Sequence, residues 1–449
     1  MRAKSCCILV YGCAKNQVDA EEMASRLRAE GFAIIGDPRQ ADVIIVHTCG
    51  FIEPAKKESI RGIFEACQAA KGQKEVSGKE PRVIVTGCLS QRYPDELLAE
   101  IPEIAGVAGT SSPRDIVEIV GEVLSGEQKV KRVGPPGRGV PGDSRYRLKE
   151  ISTPWAYLRV SEGCRHRCTY CAIPSIRGSL VSRPEEDILE EARVLASRGA
   201  REINLIAQDL SDYGLDLYGE RRLPQLIERL GEIPGVLWIR LLYVRPDGVT
   251  GKLAQAMTGP KVVPYVDMPI EHGSAKILKM MGRPGPQTIL EAVNTLRDKV
   301  PGIAIRTTII AGFPGETGED VEKTREFLSA IRPHRVGVFP YSPEENTPAS
   351  RFPGLLPERI REERAEAIRR LGLELSRQHS ESLIGKEIPV LLLRPSSRNG
   401  YWIGRGPHQA PEVDGKIYVR AEGTAGDIVT AKVTRAGYLD LWARAITTP

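Results

Sequence analysis

The chain has 449 residues, 41% of them hydrophobic and 27% charged, and its 63 basic and 58 acidic side chains give a formal net charge of +5. That length exceeds one ordinary hydrophobic core and points to about three domains, and the composition excludes a disordered or fibrous chain. A charge this near balance excludes a chain held to nucleic acid by charge alone, while leaving room for a local basic face.

Elements follow in chain order, beginning with a segment that runs to about residue 125. Met1-Arg2-Ala3-Lys4 leads straight into a strand pattern, without a signal-peptide layout. No apolar run is long enough to span a bilayer, and no internal repeat or heptad seam is visible. The nine cysteines are therefore expected in the reducing cytoplasm, where metal binding or catalysis outweighs disulfides. Residues 6–11 are a short apolar run ending at Gly12, and 18–30 reads as an amphipathic helix closed by Gly31. Val43-Ile44-Ile45-Val46 and Val83-Ile84-Val85 are continuous apolar runs suited to strands buried on both faces, with helical patterns at 53–70 and from Pro94. Strand alternating with helix implies a parallel sheet with covering helices.

Three strands of this segment end alike, in Tyr11-Gly12-Cys13, Thr48-Cys49-Gly50 and Thr86-Gly87-Cys88. Carboxyl ends of parallel strands share one edge, where ligands bind, and a neighbouring glycine lets backbone approach closely. Cys13, Cys49 and Cys88 either converge on one three-thiolate site or are three separate small core residues, and pattern alone leaves both open. Cys6, Cys7 and Cys67 lack the strand-end placement and are expected in core or surface.

Residues 126–153 read as a connector, rich in glycine and proline from Gly134 to Gly142. The second domain spans 154–380. Strand patterns at 156–160, 202–207, 236–241, 262–268, 303–310 and 336–339 alternate with helical patterns at 184–198, 223–230, 286–299 and 319–331. Six such units imply a partial parallel barrel, open on one side, with its active site at the carboxyl ends of the strands. The loop after the first strand is Cys164-Arg165-His166-Arg167-Cys168-Thr169-Tyr170-Cys171, three thiols within eight residues. Cysteine this dense outside a secreted mini-protein points to metal. Structural zinc pairs such a motif with a second pair of ligands, whereas three local thiolates suit a cubane iron–sulfur cluster with one iron free for a non-protein ligand. Zinc held by these thiols and His166 is the alternative.

Other strand ends carry polar or glycine-rich sequence: Gln208-Asp209, Pro269-Ile270-Glu271-His272-Gly273-Ser274, and Ala311-Gly312-Phe313-Pro314-Gly315-Glu316-Thr317. The last lacks the Gly-Lys-Ser/Thr of a P-loop. Arg306 suits a carboxylate of a cofactor or substrate, or a structural ion pair, and His272 suits a structural role. Residues 357–380 interleave Arg and Glu as a solvated connecting helix. From 381 to 449, short β patterns at 388–393, 401–404, 416–419, 427–434 and 439–443 suggest a small OB-like barrel. From Lys386 onward 9 basic and 6 acidic residues leave +3, too little to establish nucleic-acid binding.

The C-x3-C-x2-C run, with Tyr170 before its last cysteine and Ala172-Ile173-Pro174 after it, resembles the radical S-adenosylmethionine superfamily. Gly12-Cys13-Ala14-Lys15-Asn16, Thr48-Cys49-Gly50-Phe51-Ile52 and Thr86-Gly87-Cys88-Leu89-Ser90-Gln91-Arg92-Tyr93 resemble the N-terminal domain of its methylthiotransferase family. The last segment resembles a TRAM domain, which that family uses to dock its macromolecular substrate, so the resemblance spans nearly the whole chain. It implies an α/β fold: an N-terminal parallel sheet domain, a partial (β/α)6 barrel and an OB-like barrel. It also implies two [4Fe-4S] clusters. One, on Cys164, Cys168 and Cys171, chelates S-adenosyl-L-methionine; the other, on Cys13, Cys49 and Cys88, serves sulfur donation. Tyr170, Gln208, Arg306 and Gly312 are implied to line the S-adenosylmethionine pocket.

The resemblance implies that one S-adenosylmethionine gives its methyl to sulfur at the second cluster. Another, with an electron from an external donor, is cleaved to a 5′-deoxyadenosyl radical that takes hydrogen from an unactivated carbon. Gly12 to Asn16 followed by Asp19-Ala20-Glu21, Cys49-Gly50-Phe51-Ile52, and Gln409-Ala410-Pro411-Glu412-Val413-Asp414-Gly415 resemble one subfamily in particular. It acts on the β-carbon of an aspartate in the twelfth protein of the ribosomal small subunit, free or assembled, and the modest net charge agrees. A sister subfamily methylthiolates a tRNA adenosine and is the alternative reading; a non-catalytic iron–sulfur electron carrier or scaffold is a second. Two departures touch no cluster ligand: Glu271-His272 stands where the family more often has Gln-His, and His47 where it more often has Asn.

Overall fold

The structure, a computed structural model, describes residues 4–77, 80–137 and 153–446, so most of the expected connector lies outside the described residues. β1 (Ser5–Val10), β2 (Ala33–Ile34), β3 (Val43–Thr48), β4 (Arg82–Gly87), β5 (Ile104–Ala108) and β6 (Val130–Arg132) form a parallel sheet in the order β2-β1-β3-β4-β5-β6. Successive strand residues point to opposite faces. Cys6, Val43, Ile45 and Ile84 therefore pack under the helices Ala14–Ala29 and Ser112–Ser125, while Cys7, Ile44, Val46 and Val85 pack under Glu53–Ser77 and Pro94–Glu100. Cys6, Cys7 and Cys67 are buried core residues. β6 falls inside the stretch expected as a connector, yet it pairs with β5 from Gly106 to Ala108 and extends the sheet.

The second region contains β7 (Trp155–Arg159), β8 (Ser161–Glu162), β9 (Val181–Ser182), β10 (Glu202–Ile206), β11 (Trp238–Leu241), β12 (Val262–Asp267), β13 (Ala304–Ala311) and β14 (Arg335–Pro340). Six of them form an all-parallel sheet in the order β14-β13-β12-β11-β10-β7, the expected six-strand open barrel; β8 and β9 pair separately. Its outer face, with Ile203, Leu205, Ile239 and Leu241, is covered by helices that include Glu185–Ser197, Leu223–Gly231, Pro286–Lys299 and Gly318–Ile331. The opposite parity, with Trp155, Tyr157, Trp238 and Tyr265, lines the concave face. Val18 of the first region and Leu391 and Ala410 of the third pack against those aromatics, so all three parts meet inside the open barrel.

The helix Glu358–Ser382 then leads to β15 (Glu387–Pro395), β16 (Tyr401–Arg405), β17 (Ile417–Arg420), β18 (Ile428–Ala436) and β19 (Leu441–Ala445), a closed barrel in the order β15-β16-β17-β19-β18. At its seam with the half-barrel, buried Glu202 binds Arg240 at 2.8 Å and also Arg405. Among the described residues no helix is long and apolar enough to cross a membrane.

Candidate active site

The Cys164–Cys171 loop leaves β8 through Gly163, whose φ of +70° and contact with the Ser179 carbonyl leave no room for a side chain. Cys164 N–H donates to Gly178 O at 3.1 Å, Thr169 N–H to Met281 O at 3.0 Å, and Cys171 N–H to Cys168 O at 3.1 Å. These bonds fold the three thiols towards one another, half-buried. Burial pushes the Cys164 thiol up to about 11 and Cys171 up to about 12, and the negative charge of the neighbouring sulfurs adds to both. Arg245 Nη1 stands 3.4 Å and Arg283 Nη1 4.0 Å from Cys168 Sγ. Cys164 and Cys171, costly to ionise on their own, suit with Cys168 a cationic metal centre, which needs its sulfurs as thiolates.

His166 does not join them. Its Nε2 lies 2.8 Å from Asp209 Oδ2 and 2.9 Å from Asp212 Oδ2, and these two carboxylates push it up to about 9. With its Nε2 committed to Asp209 and Asp212, His166 is not in place as the zinc alternative's fourth ligand.

The second set stands where β1, β3 and β4 end. Gly12, at φ +107°, faces Cys49 so closely that a Cβ would lie 2.6 Å from Cys49 Cβ and 3.2 Å from its sulfur. A Cβ on Gly50 would lie 2.8 Å from the Leu89 backbone, next to Cys88. Asn16 Nδ2 donates to Tyr11 O at 2.7 Å and Thr48 O at 3.0 Å, tying two strand ends together. Burial pushes the Cys49 thiol up to about 12, with the charges of Cys88 and Cys13 adding. Burial also raises Cys88, against the opposing pull of Arg177. The three sulfurs thus share one field; Cys49 and Cys88 are buried and Cys13 is exposed. The donor set fits a second cluster as the first fits its own.

Charged residues join the two sets. Arg177, at the end of the helix Ile173–Arg177 that closes the first loop, donates from Nη2 to Cys88 Sγ at 3.4 Å and Asn16 Oδ1 at 2.9 Å. Its Nη1 reaches Asp19 Oδ2 at 2.9 Å and Glu162 Oε2 at 3.3 Å. Asp19 is also bound by Arg159, and although burial opposes it, Arg159 and Arg177 hold its carboxyl well below the usual range. His47, the departure at the end of β3, completes this knot with Nδ1 2.7 Å from Thr86 Oγ1 and Nε2 3.6 Å from Asp19.

Each of the four expected pocket residues has its own partner. Tyr170 lies at the first loop and bonds Glu271, whose carboxyl burial raises and whose φ is +71°. Gln208 donates to Glu162, beside Arg177. Arg306 pairs with Asp267 at 3.0 Å and with Asp414 of the third region at 3.4 Å. Gly312, at φ +79°, gives its N–H to Glu316 at 2.9 Å, and its bareness accommodates Arg361, which a Cβ would meet at 2.5 Å. His272 is structural, with Nε2 3.0 Å from Glu316 and Nδ1 accepting from Ser274 N–H at 2.9 Å. Sequence reasoning passed over Arg177, Arg245, Arg283 and Tyr243, and used Asp19 only as part of a subfamily motif. Tyr243, at φ +64°, lies under the Lys15 ammonium at 4.3 Å, and its hydroxyl is raised by burial and then by the charge of Cys13.

Family models match in the same order: the uncharacterized protein family UPF0004 over residues 5–109, the Radical SAM superfamily over 158–328 and the TRAM domain over 384–446. The chain is 43% identical over 431 residues to the ribosomal protein uS12 methylthiotransferase RimO of Moorella thermoacetica, covering 95% of this chain and 96% of that one. The protein of the same name from Desulforamulus reducens is 44% identical, over 97% of this chain and 98% of its own. In fold, the chain is similar to the radical S-adenosylmethionine methyltransferase TsrM of Kitasatospora setae, with a TM-score of 0.59 at 13% identity, covering 90% and 81% of the two chains.

Proposed function

The chain belongs to the family of ribosomal protein uS12 methylthiotransferases, and from that premise we propose that it places a methylthio group on the β-carbon of an aspartate in the small-subunit protein uS12. It is a radical S-adenosylmethionine enzyme, and its cofactors are S-adenosylmethionine and [4Fe-4S] clusters. The observation that carries the reading is the pair of three-thiol sets, one local and one built from three strand ends, joined through Arg177.

In this reading Cys164, Cys168 and Cys171 hold one cluster with S-adenosylmethionine, and Cys13, Cys49 and Cys88 hold the other. The chemistry supplied when these groups are bound is one-electron cleavage of S-adenosylmethionine at the first and methylthio transfer at the second. The chain's own residues hold, charge and enclose. Arg245 and Arg283 place positive charge at Cys168, and Arg177 places it at Cys88. Such charge-assisted N–H···S contacts favour the more negative state of whatever the sulfurs bind. Trp155, Tyr157 and Tyr265 form a buried apolar cluster on the concave face, which in this reading walls the reaction chamber against water. Arg306, with Nη1 on Asp267 and Nε on Asp414, is the guanidinium on β13 set to meet a carboxylate of the cofactor or the substrate.

An external carrier delivers the electron, and the enzyme works in the cytoplasm, on uS12 free or assembled. The test is one anaerobic assay in which reconstituted enzyme, reductant and methyl-labelled S-adenosylmethionine meet ribosomal subunits and total tRNA together. Label at an aspartate of a small-subunit protein is expected; label in tRNA adenosine would overturn the substrate assignment and keep the chemistry.

A further inference from the structure

The loop between β16 and β17 leaves the small barrel and enters the concave face of the six-stranded sheet. Arg240 of β11 donates to Pro407 O at 2.5 Å and to Gly406 O at 3.3 Å. Gly406 N–H donates to Gln409 Oε1 at 3.0 Å, and Ala410 N–H to Asp414 Oδ2 at 2.9 Å. The same Asp414 oxygen accepts from Tyr265 OH at 2.5 Å, and Arg306 Nε lies 3.4 Å from the other. Ala410 packs among the inner aromatics. Buried side chains of β11, β12 and β13 therefore anchor both ends of this loop and leave its tip, Glu412-Val413, exposed, Val413 at 53%.

At that tip Glu412 adopts a left-handed backbone, φ +68°, which crowds any residue with a side chain. Strain of this kind persists where the surroundings over-determine it and gathers at functional sites. Tyr243 and Glu271 are left-handed too, and Tyr243 packs in the same inner cluster as Tyr157. Glu412 Oε2 accepts from Tyr157 OH at 3.2 Å, which fixes its rotamer. Tyr157 packs in one inner cluster with Tyr243 and with Ala14, the residue after Cys13, so the Glu412 carboxylate held by Tyr157 stands on the side that carries the second thiol set. Of the chamber's carboxylates, Asp267 and Asp414 share Arg306. Among the described residues Glu412 meets no lysine or arginine, so its charge is not offset.

We infer that Glu412 binds a cationic side chain next to the target aspartate, so that the small barrel supplies a recognition group to the reaction chamber itself and not only a docking surface outside it. This rests on the ribosomal-protein reading. Asp267 and Asp414 have Arg306 and Glu271 has Arg283, which leaves Glu412 as the carboxylate open to a cation that the substrate brings. Proteins that sit on ribosomal RNA carry lysine and arginine for its phosphates. A carboxylate already held by a tyrosine loses little freedom on binding one.

The test compares reconstituted wild-type holoenzyme with Glu412→Gln and Glu412→Asn, using purified small subunits. Asparagine tolerates the left-handed backbone, so it separates loss of charge from loss of fold, and melting midpoint and iron content are measured for each. In both variants KM for methylthiolation rises about tenfold, the effect falls on KM rather than kcat, and the salt dependence of KM weakens. Glu412→Lys raises KM further. A Glu412→Gln enzyme with wild-type KM, or a raised KM that keeps the full salt dependence, would overturn the inference. A wild-type enzyme that labels no ribosomal protein overturns the functional reading beneath it, and is told apart because it fails before any substitution is made.

Discussion

Arg177 and Cys88 lie 3.4 Å apart, guanidinium to sulfur, although one closes the loop of the first thiol set and the other ends a strand of the second. The same guanidinium holds Asp19 and Asn16, so Arg177→Ala removes a charge from a buried cluster and leaves Asp19 on Arg159 without its second partner. Breaking a buried pair from one side costs about 3–5 kcal/mol. Arg177→Ala is expected to lower unfolding stability by about that amount and to lose iron from the second set. Arg177→Lys keeps charge without the fork and recovers part of both. Denaturant titration of the apoprotein and iron analysis of the reconstituted protein check this; a wild-type melt would contradict it.

Substitutions in the two thiol sets separate two half-reactions. Cys168→Ala is expected to abolish reductive cleavage of S-adenosylmethionine. Cys49→Ala is expected to leave cleavage in place and stop methylthio transfer. Chromatography of 5′-deoxyadenosine beside labelled ribosomal protein reads both. Transfer that survives in Cys49→Ala removes the second set from the mechanism.

Gly12→Ala tests how the strand ends assemble. The new methyl would stand 2.6 Å from Cys49 Cβ on a backbone at φ +107°, a conformation that costs a residue with a side chain about 1–2 kcal/mol. The second set should fail to load while the first loads normally. Iron per chain then falls to that of a single cluster, and wild-type iron would exclude the close approach described.

Three histidines from three segments meet at the joint of half-barrel, connecting helix and small barrel. The rings of His334 and His379 are 4.1 Å apart and those of His379 and His408 5.6 Å. Burial first, and then neighbouring imidazoles and cations, push His334 down to about 3 and His379 to about 2; burial and then Arg240, Arg335 and Lys386 push His408 down to about 4. A base whose pKa falls on folding binds its proton more readily when unfolded, so stability is whole above about pH 6.5 and drains as pH drops towards 4. From pH 7 to pH 5 one such histidine withdraws about 2 kcal/mol. Urea titrations at the two pH values should show a loss of at least this size, smaller in His408→Asn.

The apolar runs of β3 and β4 were legible because both faces of those strands are buried. β5, Ile104-Ala105-Gly106-Val107-Ala108, was not, since its small residues carry little hydrophobic signal, and β6 was hidden because Lys131 and Arg132 face solvent on a sheet edge. Cysteine spacing gave away the first thiol set, whereas pattern alone left the second open and only the family resemblance joined its three members. The cations around them left no trace in local sequence: Arg245 meets Cys168 77 positions away, and Arg177 meets Cys88 at a separation of 89. Gly312 was noticeable as a glycine, but the neighbour that needs its bareness, Arg361, lies on a helix packed from elsewhere.

The two thiol sets also differ in what must exist before they do. Cys164, Cys168 and Cys171 sit within eight residues, so closing that ring costs little entropy, and a chain still largely unfolded can grip iron there. Cys13, Cys49 and Cys88 come together only after β1, β3 and β4 have paired, which requires closing two long segments first. In the proposed reading, iron at the second set would act as a rivet through the first sheet, its binding energy adding to that sheet's folding energy. When iron is scarce the rivet is lost before the local grip, and hydrogen exchange should quicken along β1, β3 and β4 while β7 and β10 stay protected.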